Sequence, residues 1–246
     1  MSTCGISKIE VTGQIRATKA KKKLIEFIGD SITCAYGVDD EDRDHHFSTK
    51  TEDVTKGYAY KVAEKLGVDY SMVSYSGYGI ISGYTETGDK FSAQLVPTYY
   101  EKLGFSNNIY MSKYVPQDIE WNFTKQQPNL IVINLGTNDN SYVLGKDVRK
   151  EEYISGYVAF LKTVRKCNPN ATILCTLGIM GTDLCPAVEE AARRYQKETE
   201  DVNIFTMRFT EQLESDGYVA DWHPTETTHN KAAERLSAEI KKIMRW

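Results

Sequence analysis

The sequence predicts one α/β domain, a three-layer α/β/α sandwich around a five-stranded parallel sheet. Three observations carry this. Short runs rich in β-branched residues recur along the chain, and residues 24–28 and 130–135 are apolar enough to be buried on both faces. Between them lie stretches with apolar residues at helical spacing, as at residues 151–167 and 225–244. Strand and helix alternate in order, which calls for right-handed crossovers and a parallel sheet covered on both sides.

The elements follow in turn. Residues 1–22 read as a tail or linker: residues 7–12 alternate like an edge strand, and a basic run at residues 19–23 leads into the core. Strand one, residues 24–28, runs straight into Gly29-Asp30-Ser31, and residues 32–36 start a helix. Residues 39–53 are polar, acidic and without periodicity, a surface loop. A helix at residues 57–66 carries Tyr60, Val62, Ala63 and Leu66 on one face, with Gly67 placed to close it. Strand two, residues 69–75, ends at Ser76-Gly77-Tyr78-Gly79. The long region 80–123 is the least regular, with residues 91–103 expected to be helical around Pro97, and its length suits a lid or substrate wall. Strand three is 130–135. The helix at 151–167 is closed by Asn168-Pro169-Asn170. Strand four is 172–177, a helix follows at 187–199, and strand five is 202–206. The last helix, 225–244, turns Ala232, Leu236, Ile240 and Ile243 inward. Residues 23–246 form one domain, with no internal repeat or low-complexity segment.

Composition excludes several classes. A net charge of −4 gives no bulk support for a phosphate-binding surface, so nucleic acid is not an expected partner. No apolar run is long enough to span a membrane, and the N-terminus has no signal-peptide core. The chain is therefore expected to be cytoplasmic as given, or a domain excised from a secreted protein. The five cysteines are odd in number and lack CxxC spacing, against a disulfide framework or a zinc site. Cys34 reads as a packed residue of the first helix rather than a nucleophile. His45 and His46 read as solvated surface rather than metal ligands, and His229 as a surface or cap residue. The chain has sixteen tyrosines, and those at Tyr36, Tyr58, Tyr60, Tyr75, Tyr78 and Tyr84 cluster around the candidate site, suited either to stacking on sugars or to ordinary packing.

Four stretches fall at strand ends, where an α/β sheet gathers its sites. Ser31 sits on the turn from a buried strand into a helix, so its Oγ projects at the sheet's carboxyl edge and its N–H lies at a helix N-terminus. Gly77 lets its backbone N–H approach a ligand closely. Asn138, in Gly136-Thr-Asn-Asp139, offers a side-chain amide. His223, in Ala220-Asp-Trp-His-Pro224, is the base that a serine nucleophile needs. Asp30 and Asp139 read as braces of their own turns.

This series of blocks, over residues 23–246, resembles the SGNH (GDSL) hydrolase superfamily, which implies a flavodoxin-like esterase fold. The resemblance implies Ser31 as nucleophile and oxyanion donor, Gly77 and Asn138 as the other donors, and His223 as general base. The superfamily's usual acid lies three residues before the histidine, where this chain has Ala220. Asp221, two before His223, resembles instead the spacing of carbohydrate esterase family 2, acetylxylan esterase-like enzymes. Either Asp221 orients His223 through Nδ1, the favoured reading, or a backbone carbonyl does so in a Ser–His dyad. Such enzymes commonly carry an N-terminal β-sandwich, of which the stretch from Ile9 to Ile15 is the expected remnant here.

Trp222, Trp121 and Tyr78 are candidate walls of a sugar cleft, with ordinary packing as the alternative. The resemblance implies a serine esterase removing short acyl, chiefly acetyl, groups from carbohydrate or other small esters, with no metal or organic cofactor. The alternatives are a lipid or thioester hydrolase of the same fold and an inactive carbohydrate-binding domain.

Overall fold

A computed structural model of the chain describes residue 6, residues 8–106 and residues 115–246. Strands β1 (Leu24–Gly29), β2 (Asp69–Ser74), β3 (Leu130–Asn134), β4 (Thr172–Leu177) and β5 (Ile204–Arg208) form one parallel sheet. Its order is β2-β1-β3-β4-β5. The central strands β1 and β3 are buried almost throughout, as their continuous apolar runs require. The period of two divides their side chains between two cores. Ile28, Ile131, Ile133 and Ile173 pack with α5 (Asp147–Cys167) and α6 (Cys185–Thr199). Ile25, Phe27, Leu130, Val132 and Leu174 pack with α2 (Tyr58–Leu66) and α7 (Glu226–Met244). The three-layer prediction holds.

The strand order fixes where a site forms. From β1 the chain crosses to β2 on one side and then returns to β3 on the other. The connections therefore part at the carboxyl ends of β1 and β3 and leave a crevice there. Ser31 follows β1, Gly77 follows β2 and Asn138 follows β3.

Several boundaries differ from expectation for identifiable reasons. Residues 8–12 belong to no strand, and Ile9 and Val11 are exposed, so the alternation there does not make an edge strand; Ser7 lies outside the described residues. Helix α5 begins at Asp147, earlier than the apolar spacing shows, because its first turn is polar. Near Pro97 the helix is only one turn, α3 (Val96–Tyr99). Helix α4 (Thr137–Val143) is unannounced by the sequence, since Thr, Asn, Asp and Ser are poor helix formers. Tertiary hydrogen bonds to its first turn, described below, hold it. A short antiparallel pair, β6 (Tyr218–Val219) and β7 (His223–Pro224), follows β5 and leads into α7, which Thr225 caps.

Candidate active site

The nucleophile turn is built from its own sequence. Helix α1 (Ser31–Cys34) is a single turn, and Asp30 caps it by accepting the Ile32 N–H on Oδ1 at 3.0 Å. Ser31 opens the helix and is nearly buried. Only glycine fits at position 29, because a Cβ there would lie 2.0 Å from Thr33 Oγ1. Burial pushes the Asp30 carboxyl up to about 7, against the stabilising Ile32 N–H bond.

Helix α4 ties the second and third blocks to the first. Asn138 Nδ2 donates to Tyr78 O at 2.9 Å and lies 3.4 Å from Asp30 Oδ2, so one amide links the ends of β1, β2 and β3. Asp139 beside it accepts the N–H groups of Ile80, Ile81 and Ser82 at 2.8–3.1 Å. Burial nevertheless raises its carboxyl to about 6. Asp30 braces its own turn, as expected, whereas Asp139 braces the distant turn at Ile80–Ser82 rather than its own. Gly77 has φ +82°, a conformation that favours glycine, and this sets the backbone beside the crevice.

His223 enters from the β6–β7 pair and is almost fully buried. Its Nδ1 lies 3.0 Å from Ala220 O and 3.1 Å from Asp221 O. Two carbonyl acceptors assign the proton to Nδ1 and leave Nε2 as the free base. Nε2 is buried without a hydrogen-bond partner among the described residues. Burial lowers the His223 pKa, opposed by the two carbonyls and then by the Asp221 charge.

The geometry corrects the expected contact between Asp221 and the imidazole. Asp221 and Trp222 both have left-handed backbone, φ +50° and +62°. This turn presents the main-chain carbonyl of Asp221 to Nδ1 and leaves its carboxylate to other partners. Tyr36 Oη donates to Asp221 Oδ2, and His46 Nδ1 lies 2.8 Å from Oδ1. Burial would raise the Asp221 pKa, but the bonds to Tyr36 and His46 hold it below the ordinary carboxylate range. The Tyr36 ring in turn stacks on His223, with centroids 4.1 Å apart and planes at 23°. The Asp221 N–H also donates to His45 O at 2.9 Å, tying the 39–53 loop to the histidine turn. The exposed His46 is thus more than solvated surface. Nothing in its own segment marks it, because its partner lies far along the chain.

A cleft of about 610 Å³ lies beside these groups. Cys34 and Tyr36, which follow Ser31, line it, with Ser76 and Tyr78 on either side of Gly77, and Phe47 from the 39–53 loop. Tyr78 is therefore where a cleft wall was expected. The two tryptophans are not. Trp222 packs on Tyr218 and under Arg43, and Trp121 lines a different pocket. Cys34 donates to Ser74 Oγ, and burial pushes its thiol up to about 11, consistent with a packed wall residue. His229, expected at the surface or as a cap, is fully buried against Tyr58, and its Nδ1 accepts the Tyr58 N–H at 3.2 Å at the start of α2. Among the described residues no group of three His, Cys, Asp or Glu side chains is arranged to hold a metal ion.

A serine at a strand-to-helix turn, an amide joining three strand ends and a buried histidine with a free Nε2 define the serine acylhydrolase class of α/β proteins. The chain belongs to the GDSL-like Lipase/Acylhydrolase family, whose pattern matches residues 27–236. Cellulase/esterase CelE of Acetivibrio thermocellus is 34% identical over 94% of this chain, which spans 27% of CelE. An acetylxylan esterase / glucomannan deacetylase of Cellvibrio japonicus is 26% identical over 98% of the chain, which spans 63% of that protein. Among solved structures, a family two carbohydrate esterase from Clostridium thermocellum in complex with cellohexaose superposes with a TM-score of 0.80 at 33% identity. That match covers 94% of this chain and 67% of the other. The acetyl xylan esterase Est2A from the rumen bacterium Butyrivibrio proteoclasticus gives a TM-score of 0.87 at 25% identity, covering 96% and 67%.

Proposed function

We propose that this chain is a serine esterase that removes short acyl groups, chiefly acetyl, from carbohydrate esters through an acyl-enzyme on Ser31. The observation that carries the reading is His223. It is a buried imidazole whose proton is committed to two carbonyls at Nδ1 and whose Nε2 is unpartnered. Burying a basic nitrogen without a partner costs stability, and a general base that meets its proton only during turnover accounts for that cost. In this mechanism Nε2 takes the Ser31 proton as Oγ attacks the acyl carbonyl. The N–H groups of Ser31 and Gly77 hold the oxyanion, and Asn138 Nδ2 joins them by giving up its long 3.4 Å contact to Asp30 while keeping the bond to Tyr78 O. As the tetrahedral intermediate collapses, Nε2 protonates the departing sugar oxygen, which leaves as the free hydroxyl, and water releases the acid by the reverse sequence. Tyr36 and Asp221 are positioning residues, holding the imidazole plane from its far face.

The acetyl and carbohydrate assignments draw support from the relatives, named as acetylxylan esterases and a cellulase/esterase. The test is hydrolysis of p-nitrophenyl acetate, butyrate and octanoate, and acetate release from acetylated xylan, by wild type and Ser31→Ala. Activity on acetate and xylan that falls with acyl length and vanishes in the variant is the expected result. A preference for octanoate reassigns the chain to lipid esters. Absence of all turnover in folded protein refutes the esterase reading.

A further inference from the structure

The displaced Trp121 marks a second concavity. A pocket of about 210 Å³ opens along the outer edge of the sheet, where β2 has no neighbouring strand on its far side. Glu26 of β1 lines it, in register with Ser71 of β2, and Trp121, Phe123 and Tyr75 contribute aromatic walls. The indole is half-exposed, and its backbone is fixed by the Trp121 N–H bond to Glu101 O at 2.9 Å. Glu26 is only 6% exposed. Tyr100 Oη donates to its Oε1 at 2.8 Å and itself accepts from Asn168 Nδ2 at 2.7 Å. The cation nearest in the pocket lining, Lys102, is paired with Glu120 instead.

A carboxylate buried on a sheet strand without a counter-ion is costly, and nothing in the ester chemistry uses it. Glu26 lies near the amino end of β1, the end remote from Ser31. Burial raises its pKa, opposed by the hydrogen bonds from Tyr100 and Ser71. Such a group accepts hydrogen bonds from ligand hydroxyls, and the ring beside it offers a flat apolar face. Together these are complementary to a pyranose, which has a C–H face and an equatorial rim of hydroxyls.

Position strengthens the match. Ser74 and Tyr75 line both this pocket and the catalytic cleft, so the two adjoin at the end of β2. From Ser74 back to Ser71 the strand runs about 10 Å, a span that a short oligosaccharide crosses. The geometry points to the Glu26–Trp121 pocket as a distal carbohydrate subsite, which holds an unacetylated part of a polysaccharide while the acetylated sugar meets Ser31. This rests on the carbohydrate-ester reading and adds to it a preference for chains over single sugars.

The test compares kcat/KM on acetylated xylo-oligosaccharide, on xylose tetraacetate and on p-nitrophenyl acetate. Wild type is expected to favour the oligosaccharide over the monosaccharide ester. Trp121→Ala lowers the ratio of oligosaccharide to p-nitrophenyl acetate turnover about tenfold, mainly through KM. Glu26→Gln, which keeps the acceptor for Tyr100, lowers the same ratio. Isothermal titration of xylohexaose and cellohexaose into Ser31→Ala should give binding that Ser31→Ala/Trp121→Ala has lost. Unchanged ratios in both variants, or binding that survives loss of Trp121, overturn the subsite while the esterase reading stands. Turnover of p-nitrophenyl acetate with none of either sugar ester refutes the carbohydrate reading itself, and the subsite falls with it.

Discussion

Asp221→Asn separates two ways of orienting a catalytic histidine. In a Ser-His-Asp triad the carboxylate bonds the imidazole directly, and the same change costs about 10⁴ in kcat. Here both acceptors on His223 Nδ1 are main-chain carbonyls, which the substitution does not touch. Asparagine matches the shape of aspartate and tolerates the left-handed backbone at φ +50°. What is lost is a negative charge and the strength of its bond to Tyr36. The Asp221 side chain is 35% exposed, so solvent screens its charge, and its effect on the nearby base is about 1 kcal/mol. That corresponds to roughly a five- to tenfold loss in kcat/KM. Removing the charge also lowers the His223 pKa further, moving the acid limb of the rate profile to lower pH. Tyr36→Phe keeps the ring stacked on His223 and deletes only the hydroxyl, so it should lose no more than Asp221→Asn. The double variant should lose little beyond Asp221→Asn alone, because once the charge is gone the Tyr36 hydroxyl contributes only a weakened bond. The assay is p-nitrophenyl acetate hydrolysis from pH 5 to 9. A loss approaching 10⁴ in Asp221→Asn refutes the reasoning, for it requires the carboxylate to reach Nδ1 during turnover.

Asn138→Ala removes one oxyanion donor and should lower kcat by about two to three orders of magnitude, about 3 kcal/mol; an undiminished kcat removes Asn138 from the oxyanion hole. The wild-type kcat/KM should fall on the acid side with an apparent pKa below the usual histidine value of about 6.5, because burial favours the neutral base. An acid limb above that value contradicts the assignment of His223. His229 supplies a stability test. Burial takes its pKa down to about 3, so the unfolded chain binds this proton first, and the stability present above about pH 6.5 is lost as pH falls toward 3. The slope from this one group is about 1.4 kcal/mol per pH unit. Asp30 and Asp139, raised by burial, act in the opposite sense, so the reading is the difference between wild type and His229→Gln in urea unfolding at pH 7 and 5. Equal pH dependence in the two proteins removes His229 as an acid-labile point.

What the sequence makes legible follows from how local each cause is. Strands β1, β3 and β4 are readable because burial on both faces imposes an unbroken apolar run. Ser31 and Asn138 are readable because each directly follows such a run. Helix α4 is not, because Asp139 holds its first turn to Ile80, Ile81 and Ser82, a partnership across more than fifty residues. His229 was within reach: it shares the face of Ala232, Ala233, Leu236 and Ile240, and that period alone places it inward. Trp121 was legible as a wall but not as the wall of which pocket, since only the edge position of β2 decides that. Asp221 is the most instructive case. A separation of two residues from His223 is compatible with a contact through the carboxylate or through the carbonyl, and the left-handed turn selects the carbonyl. The same turn leaves the carboxylate to His46 and Tyr36. The acidic stretch 39–53, which composition marks only as solvated loop, thereby becomes part of the site. Phe47, Thr49 and Glu52 line the cleft because Asp221 anchors their segment beside the base. One residue's backbone conformation thus decides both how the histidine is held and which loop faces the substrate.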